Sequence, residues 1–278
     1  MNKTAVRAAV GLGLGGALTA AVLTGAQADE EHDARSPQLD VNYKDGSLNS
    51  GIPNLTTTHA KAKDASEVVR SGDDHAVTHK VTLDDPDYVS NGAPRSESAT
   101  DKLPEGRIEV GDEHRYEFDV LLKDWKTYKP GDPTNGDIIF QGKHAGGNRP
   151  SFYLMAQRNS VEFRSPLLNL QTTVVDDFKP YINKWMTFRV DVRWTDDKTG
   201  YYKVSSKLPG ESGFTLRKTY KDVKTFHPEN PTTFGYLKWG LYRPDQTIDN
   251  GNVPTRTVEH DNIRVLDLAK GAGASKSR

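Results

Sequence analysis

The chain has 278 residues, of which 35% are hydrophobic and 27% are charged, and its formal net charge is −1. This balance argues against a general binder of nucleic acids or membrane surfaces, since such proteins need a strong field of one sign. The chain contains no cysteine, so its fold depends on a hydrophobic core without disulfides. Its length suffices for one large all-β domain or two small domains.

The first 28 residues have the pattern of a secretory signal peptide. Lys3 and Arg7 make the start positively charged, and residues 8–23 are small and apolar. Residues 26–28, Ala-Gln-Ala, match the small-x-small sequence at which such peptides are cleaved. No later stretch approaches the ~20 apolar residues that a membrane span requires. We therefore predict a secreted, extracellular protein without a membrane partner, and we expect it to be a monomer.

Two polar segments flank a region with strand periodicity. Residues 29–75 are rich in Asp, Ser, Asn and Thr, and their weak periodicity predicts a polar N-terminal lead that is partly irregular. Residues 269–278 are small and weakly basic, which predicts a flexible tail. Between them, residues 76–268 contain eleven candidate strands, at 76–83, 115–122, 137–141, 152–157, 160–164, 171–175, 186–194, 201–206, 215–220, 233–242 and 255–266.

Alternation within these segments predicts strands with one buried face. In residues 186–194, the apolar side chains of Met186, Phe188, Val190 and Val192 face one way and the polar ones face the other. Turn residues rich in Gly, Pro and Asp separate the strands, and no window shows convincing helical periodicity. The pattern predicts an all-β fold, a β-jelly roll or concanavalin-like sandwich of two antiparallel sheets, over residues 76–268 as one domain.

The strand at residues 236–243 combines an apolar face with a polar one. Leu237, Trp239, Leu241 and Arg243 point one way. The other face presents a cation and a phenol with a glycine between them, which suits the floor of a sugar-binding groove. On pattern alone, an amphipathic strand whose polar face only meets water has about equal weight. The residues of the polar face are Tyr236, Lys238, Gly240 and Tyr242.

Arg95 and Glu97 form a second candidate element, because residues two apart share one face of a strand. A neighbouring carboxylate can orient an arginine so that its planar guanidinium forms two hydrogen bonds to an anion. The alternative is an ordinary exposed ion pair, which contributes little to stability.

A glycine-rich loop after the strand at 137–141 supplies further donors for an anionic sugar. Gln141, Lys143, His144 and Arg149 are its polar side chains. His144 titrates near neutral pH, so it is a candidate base. The loop lacks the Walker spacing, which excludes a phosphate-binding loop of that type.

Residues 259–262, Glu-His-Asp-Asn, are a third candidate, since carboxylate, imidazole and amide groups can bind Ca²⁺. No second cluster in the sequence completes a metal site. A bend in a closing strand is the better interpretation, so we assign no metal ligands and leave a Ca²⁺ requirement open.

Together these segments resemble the jelly-roll polysaccharide lyases related to heparin lyase I and, more distantly, the alginate and glucuronan lyases. The resemblance spans roughly residues 90–268. The matching pieces are Arg95-Ser-Glu97, residues 137–141 with His144 beyond them, residues 183–194 followed by 200–204, residues 236–243, and residues 260–263.

The resemblance implies an enzyme that cleaves an acidic, uronate-containing polysaccharide by β-elimination. Tyr242 would be the catalytic phenol, which donates a proton to the leaving O4 and also serves as base in a syn elimination. His144 would be the alternative base or a neutraliser of the substrate carboxylate. In alginate lyases the matching Gln and His lie two residues apart, whereas Gln141 and His144 are three apart. Either a bulge at Gly142 restores the alignment, or His144 is not the catalytic histidine.

Other roles follow from the same resemblance. Gln141 and Arg95 would bind and neutralise the uronate carboxylate, and Lys238 would lower the pKa of the phenol. Lys143 and Arg243 would serve neighbouring subsites. The moderate positive charge of these segments suits glucuronan or an alginate-like polymer better than a sulfated glycosaminoglycan such as heparin.

Two other functions compete with this interpretation. A lectin-like jelly roll could bind the same polysaccharide without catalysis, because fold alone does not separate the two. A β-sandwich glycoside hydrolase needs two spaced carboxylates. Glu117 and Asp119 begin such a pattern, but Leu122 stands where the second glutamate is required.

Overall fold

The computed structural model describes residues 36–147, 149–227 and 233–269. The predicted signal peptide and residues 270–278 of the predicted tail lie outside the described residues. Three short 3₁₀ helices, Pro86–Tyr88, Pro104–Gly106 and Lys179–Tyr181, interrupt a chain of strands. Within the described ranges, none of the helices combines the length and the apolar character that crossing a membrane requires.

The described residues form fifteen strands, and each of the eleven predicted strands corresponds to one of them. The strands are β1 (Leu39–Val41), β2 (Ser66–Ser71), β3 (Asp74–Thr82), β4 (Val89–Ser90), β5 (Ala93–Ala99), β6 (Glu113–Lys123), β7 (Gly136–His144), β8 (Phe152–Gln157), β9 (Ser160–Ser165), β10 (Leu170–Val175), β11 (Trp185–Arg193), β12 (Gly200–Lys207), β13 (Thr215–Val223), β14 (Gly235–Tyr242) and β15 (Thr255–Asp267).

These strands build two antiparallel sheets, which confirms the predicted all-β class. The eight-stranded sheet has the order β13-β12-β11-β6-β15-β3-β2, and β1 also pairs with β15. The seven-stranded sheet has the order β10-β9-β8-β7-β14-β5-β4. Neighbours in each sheet come from distant parts of the chain, so the central strands β14 and β7 gather residues that are far apart in sequence.

The core lies between the sheets and follows the alternation seen in the sequence. Met186, Phe188 and Val190 on β11 are completely buried, as their shared spacing predicts. The rings of Phe118 on β6 and Phe140 on β7 stack across the two sheets with their centroids 3.7 Å apart. Truncating a buried phenylalanine of this kind to alanine typically costs about 3–5 kcal/mol of stability.

Residues 36–75 pack into the same sandwich. Strand β1 pairs with β15, and β2 pairs with β3 across the predicted boundary at residue 75. Leu39, Val41 and Tyr43 belong to the core, and the Tyr43 hydroxyl accepts a hydrogen bond from Trp239 Nε1 at 2.8 Å. The irregular chain between β1 and β2 also reaches the seven-stranded sheet, where Thr56 bridges to Ala99. This part of the predicted lead is therefore integrated into the fold.

Candidate active site

Strand β14 carries the polar face that the sequence predicts. Leu237, Trp239 and Leu241 are fully buried in the core. Because side chains alternate along a strand, Lys238 and Tyr242 project from the outer face of the seven-stranded sheet. Burial of the apolar face fixes the register of the strand, since a slip of one residue would move the whole set to solvent.

A β-bulge at Gly240 shapes this face. The pairing of β14 with β7 shifts between Trp239 and Tyr242, whereas its pairing with β5 continues without a break. Gly240 has φ +141°, and a Cβ built there would lie 2.3 Å from the Ser96 carbonyl oxygen. Only glycine fits this position without strain. The bulge leaves Tyr242 opposite Arg95 on β5.

The carboxylate of Glu97 organises the donors on three neighbouring strands. Gln141 Nε2 on β7 donates to Glu97 Oε1 at 2.5 Å, and Lys238 Nζ on β14 donates to Oε2. Arg95 Nη1 lies 3.9 Å from the same Oε2. Glu97 and Gln141 are buried, and Lys238 is almost so. Arg95, Lys238 and Glu97 together carry one unit of positive charge at this point of the sheet.

The catalytic candidate Tyr242 lies against Arg95. The guanidinium carbon of Arg95 is 4.0 Å from the centroid of the Tyr242 ring. Burial raises the pKa of Tyr242, the charge of Arg95 opposes this, and Glu97 and Asp245 add to the rise. The expectation that Lys238 lowers this pKa is not met, because Lys238 bonds to Glu97 and the cation that acts on the phenol is Arg95. The phenol is therefore held in its protonated form near neutral pH.

Three members of this group, Arg95, Glu97 and Lys238, line an open cleft, and Tyr242 adjoins it through its contact with Arg95. Burial raises the pKa of Tyr236, on the cleft floor, to about 12. Part of the wall comes from the predicted N-terminal lead, which supplies Thr56 and the exposed imidazole of His59. No sequence pattern singles out His59, because an irregular segment carries it and only the tertiary fold brings it here. The cleft is lined by Thr56, His59, Ser90, Asn91, Arg95, Glu97, Ala99, Asp101, Tyr236 and Lys238.

The structure does not bring His144 to this cleft. Strands β7 and β14 pair in regular register from Gln141 to His144, so Gly142 makes no bulge and His144 points inward. His144 is 1% exposed, and its Nε2 lies 2.6 Å from Ser151 Oγ. Its ring contacts Phe226 with the centroids 4.6 Å apart. The second of the two alternatives, that His144 is not the catalytic histidine, therefore agrees with the geometry.

Arg243 is also directed away from the cleft, contrary to its expected role in a neighbouring subsite. It is fully buried, and its Nε lies 3.0 Å from Asp137 Oδ1. The rest of its guanidinium donates to Gln246 and to the carbonyl oxygens of Pro254 and Val253. All three nitrogens of the Arg243 guanidinium are therefore engaged by groups within the protein.

Lys143, by contrast, lies on the same outer face as the cleft, opposite Tyr236. It is partly exposed, and its Nζ donates to the Gly147 carbonyl oxygen at 2.7 Å. The expected subsite role of Lys143 is therefore compatible with its position.

A row of polar side chains extends from the cleft across the sheet. Register pairs align Lys238 with Gln141, Gln141 with Tyr153, and Tyr153 with Arg164. Arg164 is oriented by Glu162, which its Nε reaches at 2.9 Å. The row runs across the strands on the outer face of the seven-stranded sheet.

The third candidate segment, residues 259–262, contacts the core side of the seven-stranded sheet, behind the site. His260 is buried between the sheets, and its Nε2 donates to the Ile139 carbonyl oxygen at 2.9 Å. Ile139 has no register partner on either side, because both pairings of β7 shift there. The His260 side chain thus bonds to the backbone at the point where the regular pairing of β7 is interrupted. Across the described ranges, no group of three or more His, Cys, Asp or Glu side chains is arranged to hold a metal ion.

Several solved structures share this fold. The endo-β-1,4-glucuronan lyase of the fungus Trichoderma reesei aligns with a TM-score of 0.57 and 17% identity, over 84% of this chain and 96% of that one. The marine PL-14 alginate lyase of Aplysia kurodai gives 0.54 and 12%, over 84% and 99%. The alginate lyase of Klebsiella pneumoniae gives 0.52 and 13%, over 73% and 85%. At these identities the likeness shows the fold, a jelly roll as the sequence predicts.

Comparison of the sequence with family models identifies the family of the chain. No curated protein matches the chain. A family model described as polysaccharide lyase matches residues 43–264, a span that includes every strand except β1 and the last three residues of β15, and every residue that lines the cleft. Because this match covers most of the chain, the protein belongs to the polysaccharide lyase family.

Proposed function

We propose that the protein cleaves an acidic, uronate-containing polysaccharide by β-elimination in the cleft on the seven-stranded sheet. The observation that carries this proposal is the placement of Tyr242 against Arg95, beside the buried Glu97–Lys238 ion pair. The proteins of similar fold are named as glucuronan and alginate lyases, and both polymers present one carboxylate on each sugar. The cleft lining has two cations, Arg95 and Lys238, and two carboxylates, Glu97 and Asp101, so these two polymers suit it better than a densely charged sulfated glycosaminoglycan.

The first requirement of the reaction is that the negative charge on the substrate's uronate carboxylate is neutralised. Removal of the C5 proton creates negative charge that spreads onto the adjacent carboxylate, so donors placed there stabilise the transition state. Arg95, Gln141 and Lys238 supply these donors from three adjacent strands, and Glu97 holds them in place before substrate binds. Losing one preorganised donor of this type costs roughly 3 kcal/mol of activation free energy in other enzymes.

Tyr242 is the proposed acid. As the C5 proton leaves and the C4=C5 double bond forms, the C4–O4 bond breaks and O4 takes a proton. The raised pKa of Tyr242 keeps that proton available at neutral pH. In a syn elimination Tyr242 gives its hydroxyl proton to O4 and takes the C5 proton in exchange, so it ends the reaction protonated. In the other route the His59 imidazole on the cleft wall takes the C5 proton and later releases it to solvent, and Tyr242 is reprotonated from solvent. A His59→Gln variant separates these routes, since only the second loses its base.

A lectin-like protein on the same fold is the competing proposal. Binding needs the cations of the cleft, but it does not need a proton donor at O4. The test is incubation of the purified protein with polyglucuronate, alginate, heparin, hyaluronan and pectate, with and without Ca²⁺, while the absorbance of the unsaturated uronate product is followed. A rise with one polymer supports the lyase. Binding without any rise would instead establish the lectin.

We also propose that the protein is exported and monomeric. The support for export is the charged start, apolar stretch and small-x-small site in residues 1–28. N-terminal sequencing of protein recovered from the culture medium tests export, with Asp29 expected as the first residue. Light scattering of the same material tests the monomer.

A further inference from the structure

A second polar pocket lies at one end of the sandwich, separate from the cleft. Arg256 on β15 shares with Val258 the side that faces the core, so its guanidinium enters the space between the sheets. Arg243, just beyond β14, enters from the opposite sheet. The pocket is walled by the chain segments 125–135 and 251–256, and Arg158 stands at its rim.

The floor of this pocket contains more positive than negative charge. Asp137 is the buried carboxylate there, and it lies between two guanidinium groups. Its Oδ1 accepts from Arg243 Nε at 3.0 Å and from Gln246 Nε2 at 3.0 Å, and its Oδ2 lies 3.1 Å from Arg256 Nε. Burial lowers the pKa of Arg243, and the charge of Arg256 adds to the lowering. One unit of positive charge therefore remains without a counter-charge in a desolvated place, which is costly unless an anion joins it.

Arg256 has donor capacity that the described protein atoms do not use. Its Nη1 is buried and finds no hydrogen-bond partner among the described residues, and its Nε meets Asp137 by distance but not with hydrogen-bond alignment. The guanidinium is held over the Trp125 ring, 4.3 Å from its centroid. A buried guanidinium nitrogen without an acceptor is uncommon in native proteins. Its position in a pocket points to a ligand that supplies the acceptor.

We propose that this pocket binds a small carboxylate, either free or as the carboxylate of a single acidic sugar. A planar carboxylate matches the guanidinium fork of Arg256, and its single charge cancels the excess on the floor. Outside the floor, Arg158 and Lys126 outweigh the single carboxylate of Asp132, which leaves positive charge on the path to the pocket. The pocket faces the interior side of β14 and β15, whereas the cleft lies on the outer face, so this inference stands whether or not the proposed reaction is correct.

Isothermal titration of the purified protein with acetate, glucuronate, sulfate and glucose at constant ionic strength tests the proposal. An Arg95→Gln background weakens carboxylate binding in the cleft. In that background we expect saturable binding of acetate and glucuronate, and none of glucose. Adding Arg256→Gln should weaken the binding at least ~10-fold, as expected for a lost charge-assisted hydrogen bond. Adding the exposed Arg193→Gln instead, as a matched control, should leave it unchanged.

Two results would overturn the proposal: no saturable binding in the Arg95→Gln background, or equal binding after Arg256→Gln. Circular dichroism checks that each variant is folded. If Arg256→Gln does not fold, Arg256→Lys replaces it, because lysine keeps the charge and loses the fork. Unchanged affinity in that variant would also contradict the proposal. Equal affinity for sulfate would show that the pocket does not select carboxylates.

Discussion

Arg95 stacks on the ring of Tyr242, 4.0 Å from its centroid, and the two residues face each other across the β5–β14 pairing. The Arg95 guanidinium therefore both contacts the phenol ring and opposes the rise in its pKa that burial causes. Arginine is suited to this place because its planar group can stack on a ring while it offers several donors to a carboxylate.

Replacing Arg95 by lysine should lower kcat/KM by about 100-fold, because the charge remains but the stacked, forked donor is lost. The matched control is Arg107→Lys, which removes an arginine stacked 4.4 Å over Phe234 outside the cleft. We expect the control to retain the wild-type rate. Equal losses in the two variants would show that stacking supports the fold and not the reaction.

Glu97 should matter for stability as well as for activity. Replacing it by glutamine leaves Lys238 buried without its counter-charge, which we expect to cost ~3 kcal/mol of unfolding free energy. Adding Lys238→Met should restore part of that loss, because no unpaired cation then remains. Chemical denaturation of the single and double variants measures this coupling. Additive losses would mean that the pair is not coupled in the folded protein.

The bulge at Gly240 predicts an unusually sensitive glycine. Gly240→Ala should lower the unfolding free energy by more than ~2 kcal/mol, since φ is +141° and the new methyl group meets the Ser96 carbonyl. Gly210→Ala is the matched control, because Gly210 has φ +94° with open space around it. The control should show only the smaller conformational cost. Similar losses of unfolding free energy in the two variants would show that the close contact with Ser96 is not the cause.

The sequence predicted the part of the site that strand alternation determines. Period-two spacing placed Lys238 and Tyr242 on one face, and Arg95 with Glu97 on one face, and the resemblance added Gln141. The shared contact of Arg95, Lys238 and Gln141 with Glu97 depends on the order β7-β14-β5, which no local pattern contains. Pairing in this order brings together residues more than a hundred positions apart.

Other features depend on tertiary contacts. The polar composition of residues 29–75 gives no clear strand pattern for β1 and β2. Both strands are short, and their few apolar residues become buried only by packing against β15 and β3. His59 reaches the cleft because Thr56, three residues before it, bridges to β5. His144 points inward because β7 pairs regularly with β14 beyond Gln141. The sequence alone does not decide this, since Gly142 is compatible with either a bulge or regular pairing.

Asp261 predicts a specific dependence of stability on pH. Its burial, together with the charge of Asp119 opposite it on β6, raises its pKa to about 7. A raised pKa means that the folded state holds the proton more tightly than the unfolded state. The stabilisation from this proton is complete below the ordinary aspartate range, near pH 4, and is lost as the pH rises through about 7.

Asp261→Asn mimics the protonated form, so it should stabilise the protein at pH 8 and have little effect at pH 4.5. Denaturant unfolding of both proteins at the two pH values measures the difference, which we expect to reach roughly 1–3 kcal/mol at pH 8. The buried histidines His79 and His260 have lowered pKa values and destabilise the fold below pH 6.5. Both proteins share that effect, so it cancels. A difference that does not change with pH would contradict the assignment.

Tyr242→Phe tests the central claim most directly. The variant should fold normally and still bind the polymer that the wild-type enzyme cleaves, because it keeps the ring that Arg95 contacts. Formation of the unsaturated uronate product should fall by about 1,000-fold, since the proton for O4 is lost. Tyr201→Phe, which removes a hydroxyl bonded to Glu113 on the other sheet, should retain full activity. Product formation by Tyr242→Phe at the wild-type rate would contradict the account.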